Sequence, residues 1–306
     1  MILSAFKAPG KFYRGNLHTH STLSDGCLDP KDICQRYRDE GYDFLCLSDH
    51  FVGQYGYPIA DTTPYRTEDF TTILGAELHS GAMANGALWH ILAVGLPADF
   101  APPNAPGFEP VEGQESGPDI ARRARAAGAF VTIAHPQWSG LTVEDARGLD
   151  AAHAVEIYNH ECALSSDRPD GAHMLETLLS EGRKLTLIAA DDAHSRLPDE
   201  FGGWVMVKAT SNEPGPLLEA LKRGDFYASQ GPELFHVEIA GDEILITCSE
   251  VSNVFVQGYG PAVRAKHGAR LTNVRLPLER FKNCPWIRVT VIDKDGKHAW
   301  SNPIWL

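Results

Sequence analysis

The sequence predicts an α/β domain built on a largely parallel sheet, followed by a small all-β domain. Short apolar runs alternate with helical patterns as far as about Gly231. Beyond it, strand-like runs follow one another with no convincing helix between them. In the first part, the apolar runs end in His, Asp, Glu or Asn again and again. A chain of 306 residues, 43% hydrophobic and 22% charged, is ordinary for a folded protein with a large core.

The apolar runs span residues 44–47, 72–74, 88–96, 130–134, 154–158 and 185–190, each short enough for a buried strand. A first helix starts at Asp29-Pro30, an N-cap followed by an N1 proline, and stops at Gly41. A second runs over 118–128 with Ile120, Ala124 and Ala127 on one face. Residues 171–182 and 216–224 repeat the plan, each closed by a glycine. Two loop-rich stretches, 51–70 and 97–118, are long for connections and read as functional covers or mobile segments. The later strands are 236–240, 243–248, 253–258, 274–276, 286–292 and 298–300, with a turn at Asp293-Lys-Asp-Gly296 before the last. They predict a small antiparallel, sandwich-like domain over 232–306, after a first domain over 1–231.

Lys and Arg total 27 against 40 Asp and Glu, a formal charge of -13. That balance argues against a nucleic-acid polymer as partner, which needs a basic field. No window approaches the roughly 18 uncharged apolar residues of a membrane span. The first fourteen residues lack the apolar stretch of a secretory signal. Six cysteines without a C-x-x-C pair read as reduced thiols, so a cytoplasmic location is expected.

The ends of the apolar runs carry the chemistry. Leu17 leads into His18 and His20, and 44–47 ends in Ser48-Asp49-His50. Residues 73–74 end in Gly75-Ala76-Glu77, and 131–134 in His135-Pro136. Residues 155–158 lead to Asn159-His160, and 185–190 to Asp191-Asp192-Ala193-His194. In an α/β barrel such strand ends share one rim, where active sites form. His90 lies inside its run, 88–96, rather than at the end. His18 and His20, like Asp192 and His194, are two apart and face the same way on extended chain. Mixed imidazoles and carboxylates favour Zn, Mn or Fe over Ca or Mg. Their number exceeds one tetrahedral site, so a multinuclear centre is expected. His79, His153, His173, His236, His267 and His298 read as structural histidines outside it.

The segment His18-Thr-His-Ser-Thr-Leu-Ser-Asp-Gly26 closely resembles the first motif of the PHP (polymerase and histidinol phosphatase) superfamily. Ser48-Asp-His50, Gly75-Ala-Glu77, Ala134-His-Pro136 and Asp192-Ala-His194 resemble its later motifs in the same order. His90-Ile-Leu-Ala-Val-Gly95 is similar to the family strand that carries another His, and the match covers about residues 12 to 230. The resemblance implies a distorted (β/α)7 barrel with two or three divalent metal ions. One metal would take His18, His20, Glu77 and Asp192. A second would take Glu77, His90 and His135, with Glu77 bridging, and a third Asp25, His50 and His194. Some members place His where this chain has Asp25. Ser229-Gln-Gly-Pro232 and Ala299-Trp-Ser-Asn-Pro303 are similar to a branch with a small sandwich after the barrel, which includes carbamate and ester hydrolases.

The expected activity is metal-dependent hydrolysis of a small phosphorylated substrate, nucleotide or sugar-phosphate-like, by a metal-bridging hydroxide. Glu77, Asp192 and His194 are the expected catalytic ligands. Asp49, beside His50, is the carboxylate expected to fix an imidazole tautomer. Arg196 and Arg168 are candidates to clamp phosphate, and Asn159 to contact substrate. Tyr55-Gly-Tyr57 would wall the site. Hydrolysis of a carboxylic ester, carbamate or amide is the alternative, and a non-catalytic metal-dependent binding protein is a third reading.

Overall fold

The computed structural model describes residues 1–83, 85–103 and 115–306; part of the second loop-rich stretch, 104–114, lies outside the described residues. Helix α1 (Ser4–Lys7) precedes β1 (Lys11–Asn16), α2 (Pro30–Asp39) and the short strands β2 (Phe44–Leu45), β3 (His50–Phe51) and β4 (Thr71–Thr72). Then come β5 (Gly75–Leu78), β6 (Ile91–Val94), α3 (Gly117–Ala126), β7 (Phe130–Ile133), α4 (Val143–Gly148) and β8 (Ala154–Asn159). Helices α5 (His160–Ser166) and α6 (Ala172–Ser180), strands β9 (Thr186–Ala190) and β10 (Trp204–Ala209), helix α7 (Pro214–Arg223) and β11 (Phe226–Ser229) complete the first part. Among the described residues, no helix is long and apolar enough to cross a membrane.

Every apolar run of that part contributes a strand, and β5, β6 and β7 are buried along their whole length. The helices start where their caps allow. Asp29 accepts from the Asp32 amide with Pro30 next in line, and Ser116 and Asp119 form a reciprocal capping box before α3. Helices α1, α4 and α5 were not expected, because four to seven residues are too few to show a helical period. Strands β1, β10 and β11 were not expected either. β1 carries Lys11, Arg14 and Asn16, and β10 alternates buried with half-buried positions, so neither reads as an apolar run.

The sheet is mixed rather than largely parallel, and no closed barrel ring forms. One six-stranded sheet has the order β3-β5-β6-β7-β8-β9, while β4, β2, β1, β10 and β11 belong to a second sheet. Strands β2, β3 and β4 have two residues each, too few to carry a ladder across the gap. Pairs β1–β2, β2–β4, β3–β5, β7–β8 and β8–β9 are parallel. Pairs β5–β6, β6–β7, β1–β10 and β10–β11 are antiparallel. The reversal of β6 matters for the site. Its start, not its end, lies at the rim reached by the ends of β5 and β7, so His90 just before Ile91 arrives with the others.

Strands β12 (Leu234–Ala240), β13 (Glu243–Gly258), β14 (Val263–Pro277), β15 (Trp286–Ile292), β16 (His298–Ser301) and β17 (Ile304–Trp305) follow, all paired antiparallel. The two strands expected at 243–248 and 253–258 are halves of β13, and 274–276 is the end of the long β14. Register shifts between Thr247 and Asn253 interrupt the β13–β14 ladder. Its first half pairs with β12 and its second with β15, and both halves supply one core that includes Ile244, Ile246, Val254, Val256, Val289 and Val291. A sandwich-like core is therefore built from one hydrogen-bonded sheet rather than two. That sheet does not stop there: β16 pairs with β11, Ala228 opposite Trp300, and runs on into β10 and β1. Trp286 and Trp300 pack into the core of the first part.

Candidate metal centre

The centre begins with β1. Past Asn16 the chain turns inward and buries His18, Thr19 and His20 completely. Asn16 Oδ1 accepts the His18 amide at 3.2 Å, and Ser48 Oγ accepts the Thr19 amide at 3.0 Å. The turn that follows brings Asp25 back over His20. It needs Gly26, where a Cβ would meet the His20 carbonyl oxygen at 2.5 Å. Asp49 ties this turn down, accepting from the Ser21 amide at 2.7 Å, the Ser21 hydroxyl at 2.8 Å and the Ser24 hydroxyl at 2.7 Å.

Glu77, fully buried on β5, is the hub. Parallel pairing of β3 with β5 sets His50 opposite it. Glu77 Oε1 lies 2.7 Å from His90 Nδ1 and 3.1 Å from His135 Nε2. Oε2 lies 2.8 Å from His50 Nδ1 and 3.6 Å from Nε2 of both His18 and His20. Asp192 Oδ1 sits 2.9 Å from His20 Nε2 and 3.1 Å from His18 Nε2. Asp25 Oδ1 is 3.3 Å from His194 Nε2 and 3.4 Å from His50 Nε2. All nine ligands expected from the sequence thus meet in overlapping groups, with His20 shared between the Asp192 and Asp25 groups and His50 between the Asp25 and Glu77 groups. Asp192 holds a left-handed backbone, φ 57°, which costs a non-glycine residue energy and aims its carboxylate inward.

The outward imidazole nitrogens are held by acceptors. Glu156 Oε1 faces His18 Nδ1 at 2.9 Å, and the Asp192 carbonyl faces His194 Nδ1 at 2.7 Å. An acceptor there requires a proton on Nδ1, so the ring in its neutral form carries its lone pair on Nε2. Glu156 Oε2 also accepts the His135 amide at 2.7 Å and Asn159 Nδ2 at 3.0 Å. Below the rim, Asp191 accepts from Asn16, Tyr37 and the amides of Phe201, Gly202 and Gly203. Burial pushes its carboxyl up to about 7 against the pull of those donors.

Among the side chains themselves the charges are strongly coupled. Burial opposes charge on Asp25, but the His194 hydrogen bond and the charges of His50, His194 and His20 hold its carboxyl well below the usual carboxylate range. Burial also disfavours protonated His194, yet the Asp25 bond and the Asp192 and Asp25 charges raise it to about 9. Burial and the neighbouring His50 and His194 lower His20 to about 4. Within the centre, His18 Nε2 and Glu77 Oε2 are buried without a well-formed hydrogen bond, although Asp192 Oδ1 lies 3.1 Å from the first and His50 Nδ1 2.8 Å from the second. Leaving such atoms unpaired is expensive, and a cation between them satisfies both. The donor set therefore fits divalent metal ions.

Other expectations need correction. Among the described residues Asp49 meets no imidazole directly; it braces the turn between His20 and Asp25. Arg168 is exposed and does not line the cavity over the centre. Asn159 is buried away from that cavity, caps α5 through the Cys162 amide and donates to Asp192 Oδ2 at 3.1 Å. Arg196 does line the cavity, but its guanidinium already bonds the Asp25 carbonyl and sits 3.5 Å from Asp25 Oδ2. Tyr55 lies parallel to His50 at 6.3 Å, whereas Tyr57 packs on Phe51. His79, read as structural, stands in the centre: Nε2 is 2.7 Å from His50 Nδ1 and Nδ1 faces the Trp89 carbonyl at 2.8 Å. Its spacing of two from Glu77 was the available signal. Glu156, Trp138 and Glu161 had none. The cavity holds about 310 Å³ and is lined by the three acids Glu77, Asp192 and Asp25 and by Trp138, Leu197 and Glu161.

No family model matches the sequence, and no curated protein matches it either. Solved structures do. A two-domain protein from Bacteroides vulgatus, containing a predicted PHP-like metal-dependent phosphoesterase, is 16% identical with a TM-score of 0.53, over 97% of this chain and 97% of that one. The chain shares the fold of that protein, second domain included. An amidohydrolase from Chromobacterium violaceum, with bound sulfate and no metal, is 16% identical over 60% of this chain and 89% of its own, at a TM-score of 0.46.

Proposed function

We propose that this chain is a metal-dependent hydrolase of the PHP superfamily, with a centre of two or three divalent ions. The observation that carries it is the convergence of six histidines and three carboxylates on one buried cluster, in which His18 Nε2 and Glu77 Oε2 face each other at 3.6 Å. His18, His20, Glu77 and Asp192 would hold one ion, Glu77, His90 and His135 a second, and Asp25, His50 and His194 a third. Zn, Mn and Fe suit this set. Bound there, such ions supply a hydroxide nucleophile at neutral pH and a counter-charge for the developing anion.

The chain's own residues do the rest. Glu156 and the Asp192 carbonyl orient His18 and His194 so that each presents a lone pair inward. Asn159 holds the second Asp192 oxygen and keeps it from rotating. Arg196 stands at the mouth and would release Asp25 to meet an anionic substrate oxygen. A small phosphoester is the substrate class most directly matched to three cations.

A carboxylic ester or carbamate is the second reading, and one observation favours it. Arg196 is the only Lys or Arg lining the cavity among the described residues and is already paired. Trp138, 40% exposed, and Leu197, 44% exposed, give an apolar wall. The test is metal analysis and turnover on one sample, across phosphomonoesters, phosphodiesters, carboxylic esters and carbamates. Two or three ions per chain with phosphate release supports the first reading. Release only from esters or carbamates selects the second. No turnover by fully metallated protein overturns both.

A further inference from the structure

A larger cavity, about 500 Å³, lies away from the metal centre, between the β15–β16 face and the segment before α6. In the register of β13, β15 and β16, Gln257 stands opposite Arg288, Phe255 opposite Thr290, and Thr290 opposite Trp300. These side chains face the first part of the molecule, while Ile287, Val289 and Val291 point to the other core. We propose that this cavity is a second binding site, for a neutral carbohydrate of one or two sugar rings.

The polar walls carry the argument. Arg288 has only 4% of its side chain exposed. Its Nε and Nη2 donate to Glu176 Oε1 at 3.2 and 2.5 Å, and Nη1 to Thr290 Oγ1 at 2.7 Å. A guanidinium has five N–H donors, so two remain without a partner among the described residues. Thr290 passes its proton to Gln257 Oε1 at 2.7 Å, which orients the Gln257 amide and leaves its NH₂ group open to the cavity. Asp170 adds an acceptor: one of its oxygens takes the Ala172 amide at 2.5 Å and the other is free to accept. Buried polar groups with unused donors call for a ligand that brings acceptors.

Charge and shape narrow the class. Glu176 neutralises Arg288, and Asp170 leaves the walls slightly negative, so an anion is disfavoured. Trp300, only 7% exposed, is the inner member of a row of parallel rings, 5.3 Å from His298 and 6.2 Å from Tyr158, and these two outer rings line the cavity with it. Aromatic surface beside planar groups that both donate and accept matches a sugar ring, apolar on its C–H faces and ringed by hydroxyls. The inference does not depend on the activity of the metal centre.

The experiment is calorimetric titration of the full chain with glucose, galactose, maltose and cellobiose, with acetate and phosphate as anion controls. At least one sugar should bind, and Gln257→Leu should weaken it about tenfold, the loss of one or two hydrogen bonds. Melting temperatures of the variants report whether they fold. If Gln257→Leu melts early, His298→Ala, on β16 of the same sheet, should weaken the same sugar. The proposal fails if none of the four binds at tens of millimolar, if both variants bind as tightly as the parent, or if acetate or phosphate displaces the sugar.

Discussion

Glu156 has no exposed surface, yet three donors meet its carboxylate: His18 Nδ1, the His135 amide and Asn159 Nδ2. Glu156→Gln keeps the shape and removes the charge that fixes the His18 tautomer. Metal affinity should fall about 10- to 100-fold with little change in fold, as read by competition with a chromophoric chelator. Asp49→Ala should act differently. It strips the acceptor from the turn between His20 and Asp25 and should cost about 3 kcal/mol in urea unfolding, with or without metal. Most of the nine expected ligands were legible because they follow closely on the end of an apolar run; His90, inside its run, and Asp25, eight residues past Leu17, were named through the family resemblance. Glu156 was not, since it sits inside the run 154–158, and only burial shows that its face is turned inward. His79 shares the spacing of two that marked His18 and His20, but one histidine near a strand end is no signal without its neighbours in space.

At the scale of elements, capping residues were the most readable feature. Asp29, Pro30 and Gly41 bracket α2 as the chemistry of helix ends requires. Asp29→Ala should therefore lower stability by about 1 kcal/mol in a denaturant titration and leave the metal centre intact. Strand direction was not readable. Hydrophobic periodicity is the same for a strand run in either sense, so the reversal of β6 and the place of His90 at its start emerge only from pairing. Strand β3 escaped for a related reason: its two residues derive their form from their neighbours, not from their own sequence.

For the whole molecule, the sequence separates two regions by texture, and the structure joins them by backbone. A chain ending after residue 231 would lose the β16 ladder on β11 and the two tryptophans that fill the first core, Trp286 and Trp300. It should lose near-ultraviolet circular dichroism and aggregate through the bare β11 edge; a cooperative melt of that fragment would contradict this. Removing bound metal should also lower the melting temperature, because ions that bind only the folded chain stabilise it by about 2.7 kcal/mol per site at a hundredfold excess over Kd. The ladder between β11 and β16 has a mechanical consequence. Parts that close like jaws pivot on a few residues of unpaired chain. Here the seam is stitched at Tyr227, Ala228 and Ser229, so the two parts tilt together or not at all. A guest in the space between them would meet walls already joined by that ladder, entering a vessel rather than being grasped.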